Sequence, residues 1–127
     1  MNQQLYACME ACNLCADACD YCASACLHEP EIKMMSRCIT LDMDSAQLCR
    51  VTASWLARTS ENSAFICGLC ADICEMCAEE CERHDMEHCR QCAEACRRCA
   101  QECRRIADIG IGMAPPQWAQ GMSSAAH

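Results

Sequence analysis

One pattern, CxxCAxxCxxCAxxC, occurs three times along this chain: CNLCADACDYCASAC at 12–26, CGLCADICEMCAEEC at 67–81 and CRQCAEACRRCAQEC at 89–103. It sets cysteine at Cys12, Cys15, Cys19, Cys22 and Cys26, at Cys67, Cys70, Cys74, Cys77 and Cys81, and at Cys89, Cys92, Cys96, Cys99 and Cys103. Steps of three and four residues alternate, a period of about 3.5, so on an α-helix every sulfur of a repeat falls on one face. A strand would divide them between two faces. Only Gly68 weakens these segments, and the Ala, Glu, Gln, Arg and Met between the cysteines favour helix. The repeat predicts three helices, each carrying thiols at the a and d positions of a bundle seam.

Ala16, Ala23, Ala71, Ala78, Ala93 and Ala100 flank these stripes at the e positions. Small flanks let helices approach and reserve the interior for sulfur, where an ordinary bundle would place Leu, Ile and Val. Cys8 extends the first stripe by one step, and Cys38 and Cys49 fall on a further helix between the first two repeats. Stepping from Cys38 at the same period gives Met35, Cys38, Asp42, Ser45, Cys49, Thr52 and Leu56: two thiols, three polar groups and apolar ends. Pro30 suits the first position of this helix. Connections at His28–Pro30, about Arg58–Ser63 and about Arg83–Met86 are short, which makes neighbours antiparallel. The expected fold is all-α, an antiparallel up-down-up-down four-helix bundle with a Cys-lined core over 1–109. The Gly- and Pro-bearing stretch 110–127 is expected to be an irregular tail that docks, if at all, through Trp118.

Eighteen cysteines in 127 residues restrict the function to a disulfide scaffold or a metal protein. Residues 1–9 contain no Lys or Arg, no apolar run of signal-peptide length and no twin arginine. A cytoplasmic location with reduced thiols is therefore expected, and disulfides are rare there. No run approaches ~20 apolar residues, so no membrane span is expected. A net charge of −8 argues against nucleic acid. Arg90, Arg97, Arg98, Arg104 and Arg105 are interleaved with acids and read as a solvated helix face. Six CxxC motifs would suit thiol–disulfide catalysis only at a strand-to-helix junction, and no strand is predicted, so that chemistry is not expected.

Thiols three or four residues apart on a helix have Cβ atoms ~5–6 Å apart. A linear S–metal–S unit with bonds of ~2.3 Å needs sulfurs roughly 4.5 Å apart, so one helix can hold a two-coordinate ion, a geometry that soft Cu(I) accepts. Charge gives a second argument. Zinc bound by four thiolates leaves two negative charges inside, and burying several such sites is costly. Cu(I) bridged by thiolates approaches one metal per sulfur, each ion replacing one proton, which bounds the capacity at about 18 ions. Zinc and iron–sulfur clusters are further disfavoured because four sulfurs at one level are expected to need a thiol from every helix, and the second helix has only two.

One end of the predicted bundle gathers His28, His84 and His88 with Met34, Met35 and Met86. His84 continues the 67–81 stripe in register, and Asp85 precedes Cys89 by four. The opposite end continues the stripes as Leu5, Leu56 and Ile106, with Ile66 adjacent, an apolar plug. Cu(I) is expected to enter at the His/Met-bearing end, with His84 and His88 as ligands beside the eighteen cysteines. His28 reads more readily as a helix-end cap than as a ligand, Asp42 as a ligand, a hydrogen-bond partner of Ser45 or a group facing a wet channel, and Met9 and Met76 as gap fillers.

The three repeats, the Cys-poor second helix and the missing leader resemble the bacterial copper storage proteins, specifically their cytosolic branch, over about Cys8–Cys103. The resemblance implies a homotetramer of four-helix bundles that stores Cu(I) on core cysteines without catalysis. The exported branch carries a twin-arginine leader and a Met-rich mouth; here the leader is absent and the mouth carries histidine.

Overall fold

A computed structural model describes residues 2–109; the tail beyond, with Trp118, lies outside the described residues. The expected helices are α1 (Gln3–Cys26), α2 (Ser36–Ala57), α3 (Ser63–Cys81) and α4 (Glu87–Ile109), and no strand occurs among the described residues. Asn2 caps α1, its side-chain oxygen accepting the Leu5 N–H at 2.8 Å. Each helix packs against its chain neighbours, and α1 closes on α4. With three short connections this gives the antiparallel four-sided bundle that the repeat predicts. No helix among the described residues is long and apolar enough to cross a membrane.

The second helix starts later than expected. Pro30 lies in a turn, a short 3-10 turn follows at Ile32–Met35, and α2 begins only at Ser36. The Ser36 hydroxyl donates to the Lys33 carbonyl at 2.9 Å, and the Met34 N–H to Glu31 at 3.0 Å. This tighter turn carries the chain across the end of the bundle and lets Met35 drop into the core, where it is buried, while Ile32 and Met34 stay exposed. The far end of α2 closes on Thr59, whose φ of 50° is left-handed. Its N–H reaches the Leu56 carbonyl and that of Ser60 the Trp55 carbonyl, the paired bonds of a Schellman ending, with threonine where glycine is usual.

The core is sulfur and alanine. Every wall position read from α2, Met35, Cys38, Asp42, Ser45, Cys49, Thr52 and Leu56, is buried, and so are the six flanking alanines. Leu5, Leu56, Ile66 and Ile106 are buried at the end where α1 and α3 begin and α2 and α4 finish. Met9 packs partly buried against the core, but Met76 is 43% exposed and fills no gap. Arginines tie the helices together outside: Arg50 to Asp17 and Asp20 across α1 and α2, Arg97 to Glu82, and Arg104 to Asp72 and Glu75 across α3 and α4.

Candidate metal centre

All eighteen cysteines are free thiols with no exposed surface. Their helices aim them at one axis, and each lies within 4.0 Å of another core sulfur or of Asp42. At the plugged end Cys8 meets Cys67 at 4.0 Å and Cys103 at 3.6 Å. Cys103 leads to Cys12 at 3.7 Å, Cys12 to Cys99, and Cys99 to Cys49, each again 3.7 Å. Cys49 of α2 also touches Cys70 at 3.7 Å and Cys74 at 3.6 Å. Cys15 joins Cys74 at 3.9 Å to Cys96 at 3.6 Å, and Cys19 joins Cys96 at 3.5 Å to Cys92 at 3.6 Å. Pairs within one helix, such as Cys15–Cys19 and Cys22–Cys26 at 3.9 Å, are slightly wider than most pairs between helices. Cys92 then meets Cys22 and Cys81 around Asp42, their ligand atoms within 4.8 Å of one another, so the core is one column crossing between helices rather than a set of single-helix sites.

The polar residues of α2 are built into this column. Ser45 lies 3.4 Å from the Cys19 sulfur and 3.5 Å from that of Cys74. Asp42 Oδ1 accepts from Cys77 at 3.1 Å, Cys92 at 3.2 Å and Cys81 at 3.6 Å, and Oδ2 from Cys38 at 3.8 Å. Burial, and then the neighbouring Cys81, push the Asp42 carboxyl up to about 9. Towards the His-bearing end, burial foremost pushes Cys26 up to about 12 and raises Cys89 too. Cys22 runs the other way: hydrogen bonds led by Cys38, with Cys92 and His88 contributing, lower it to about 6.

Four sulfurs do not need four helices, which corrects the geometric objection to four-thiolate sites. Cys12, Cys70, Cys99 and Cys103 bring their sulfurs within 4.8 Å of one another from three helices, as do Cys19, Cys77, Cys92 and Cys96. Two thiols one turn apart on the same helix supply two corners, a combination that counting one thiol per helix overlooks. The charge argument is unaffected, because it concerns how many anions the core would hold, not where they sit.

The three histidines separate. His88 Nδ1 lies 3.6 Å from the Cys22 and Cys89 sulfurs and 3.8 Å from that of Cys26, while Nε2 lies 2.9 Å from Glu29. Burial opposes its protonation most, but its bonds to Cys22 and Glu29 outweigh that and raise it above the ordinary histidine value. His84 has no thiol within reach. α3 ends at Cys81, so the chain has left the helical path and the register is lost; Nε2 instead bonds buried Glu80 at 2.9 Å, and the ring lines a groove with Arg90 and Arg97. His28 is exposed, its ring nitrogen 3.0 Å from the Ser24 carbonyl, a helix-end partner. Met34 and Asp85 are exposed and Met86 is half-buried. Sequence reasoning missed both carboxylates. Glu80, four residues before His84, carried a local signal; Glu29 is 59 residues from His88 and carried none.

The family model described as copper storage protein matches residues 1–108. Among solved structures, the metal-free copper storage protein 3 of Bacillus subtilis is 43% identical, with a TM-score of 0.74 over 80% of this chain and 97% of that one. A cytosolic copper storage protein of Streptomyces lividans, described as loading five coppers, is 41% identical, with a TM-score of 0.81 over 84% and 93%. A Nitrosospira multiformis protein is 34% identical, with a TM-score of 0.79 over 86% and 99%. No curated protein sequence matches.

Proposed function

This chain belongs to the copper storage protein family, and from that premise we propose that it stores and buffers many Cu(I) ions on its eighteen core thiolates. The observation that carries this reading is the column of buried free thiols from Cys8 to Cys22 and Cys26, joined at Asp42, where ligand atoms of Cys22, Cys81 and Cys92 come within 4.8 Å of one another and of the carboxylate. Neutral thiols stabilise the empty core, and each cuprous ion replaces one proton, so the core stays near neutral as it fills. The chain acts in the cytosol, as the Streptomyces relative is described, and catalyses no reaction. It assembles as a homotetramer; Tyr6, Leu14 and Tyr21 expose apolar surface along α1 that a second copy would cover.

Copper enters at the end that carries His84 and His88 and moves inward by exchange between neighbouring thiolates. His88, which touches three thiols, is the first ligand of the column, and His84 acts outside it beside Glu80. The plug of Leu5, Leu56 and Ile106 closes the other end. Thiol counting on reduced protein followed by Cu(I) titration against a competing chelator tests the storage reading. Uptake of many tightly held equivalents with little change in helicity is expected, and saturation at one or two would sink it. Replacing His84 and His88 by leucine tests the gate, which fails if loading and removal rates stay unchanged.

A further inference from the structure

We propose that Glu29 is a positioning residue for copper uptake, holding the His88 ring in the one tautomer that turns a lone pair towards the outermost thiols. This deepens the reading of the His-bearing end and rests on it. Glu29 lies in the turn after α1 and His88 in the first turn of α4, so their 2.9 Å hydrogen bond fixes the ring from across the mouth. A carboxylate oxygen can only accept, so Nε2 must donate and carry the proton. In a neutral imidazole that leaves Nδ1 unprotonated, and Nδ1 is the atom 3.6 Å from Cys22 and Cys89 and 3.8 Å from Cys26.

Without the carboxylate, the ring is free to protonate Nδ1 instead. It would then aim an N–H at three sulfurs and offer an arriving cation nothing. Histidines that bind metals generally donate the second ring N–H to a carboxylate or carbonyl, which fixes orientation and raises basicity. Glu29 also bridges environments: its side chain is 25% exposed, that of His88 13%, and the thiols behind them are fully buried. The pair therefore spans the one stretch where a cation leaves water for sulfur. His84 has the same bond to Glu80 but no thiol in reach, so there the clamp presents its ring to nothing in the column.

The uptake step is ligand exchange with no electron transfer. A Cu–N bond forms at Nδ1 as the ion's bond to its donor ligand breaks. A Cu–S bond to a mouth cysteine then replaces the Cu–N bond as the thiol proton passes to water.

The test uses the full-length reduced protein, metal-free and 15N-labelled, as wild type, Glu29→Leu, Glu29→Gln and His88→Leu. Long-range proton–nitrogen correlation, at a pH where the ring is neutral, reads the tautomer; stopped-flow transfer from a bicinchoninate–Cu(I) complex reads uptake. Circular dichroism and total capacity check that each variant keeps its bundle. The expected results are an Nε2-protonated His88 in wild type, a mixed tautomer in Glu29→Leu and uptake slowed about tenfold. Glu29→Gln, whose amide oxygen accepts the same bond, restores both. An Nδ1-protonated wild type, or Glu29→Leu loading at the wild-type rate while His88→Leu is slow, overturns this proposal and leaves the gate standing. Wild-type rates in His88→Leu overturn the proposal and the place of His88 as first ligand, wild-type rates in the His84, His88 double variant overturn the gate as well, and a wild-type capacity of one or two ions would fell storage itself.

Discussion

Replacing Asp42 by asparagine should change how the metal-free bundle responds to pH. Asp42 is fully buried among four thiols, and that burial lifts its carboxyl from 3.8 to about 9. Between these values the folded chain binds a proton that the unfolded chain has released. The sign follows from linkage: this contribution to stability is fully present below about pH 4 and is lost as pH rises towards 9. One pKa unit corresponds to about 1.4 kcal/mol, so from pH 5 to pH 8 the wild type loses about 4 kcal/mol that Asp42→Asn does not lose. Asparagine keeps the shape and the acceptor oxygen but cannot ionise. Urea unfolding of both reduced, metal-free proteins at each pH unit across this range measures the difference; the Cys22 thiol, lowered to about 6, titrates within the window in both proteins, so the comparison is between their slopes. The absolute offset between the proteins is irrelevant, since only the slope reports the buried proton. Parallel stability curves would refute the reasoning.

Three other substitutions probe separate links. Gly68 sits inside α3 with only the Ala107 methyl, 4.0 Å away, facing its missing side chain, so Gly68→Ala should stabilise the bundle by about 0.5–1 kcal/mol in urea unfolding; destabilisation would mean that α3 and α4 pack more tightly than this. Leu56→Ala in the plug removes a fully buried side chain and should cost about 2–5 kcal/mol, with copper uptake rates unchanged because the plug lies opposite the histidines; slower uptake would place the mouth wrongly. Cys49→Ser removes a sulfur 3.6–3.7 Å from Cys70, Cys74 and Cys99 and should lower Cu(I) capacity by about one equivalent, since a buried hydroxyl is too hard a ligand; an unchanged titration endpoint would mean that this thiol holds no metal.

The sequence alone determined the helices, the antiparallel bundle and the identity of the buried wall, because period and short connections are local properties of the chain. Cys38, Asp42, Ser45, Cys49 and Thr52 were legible as one face for the same reason: on a helix, a register counted from one residue holds until the helix ends. It failed where the helix did. His84 kept the count past Cys81 but not the geometry, and Pro30 was assigned to a helix that begins at Ser36. Only the tertiary structure decided which sulfurs meet, since most close pairs join different helices and their distances depend on how the seams interdigitate. It also decided that four-thiol groups can form from three helices, and that His88, clamped by a glutamate 59 residues away, is the histidine that reaches the thiols. Contacts between residues distant in the chain are fixed by packing and leave no periodic trace in the sequence.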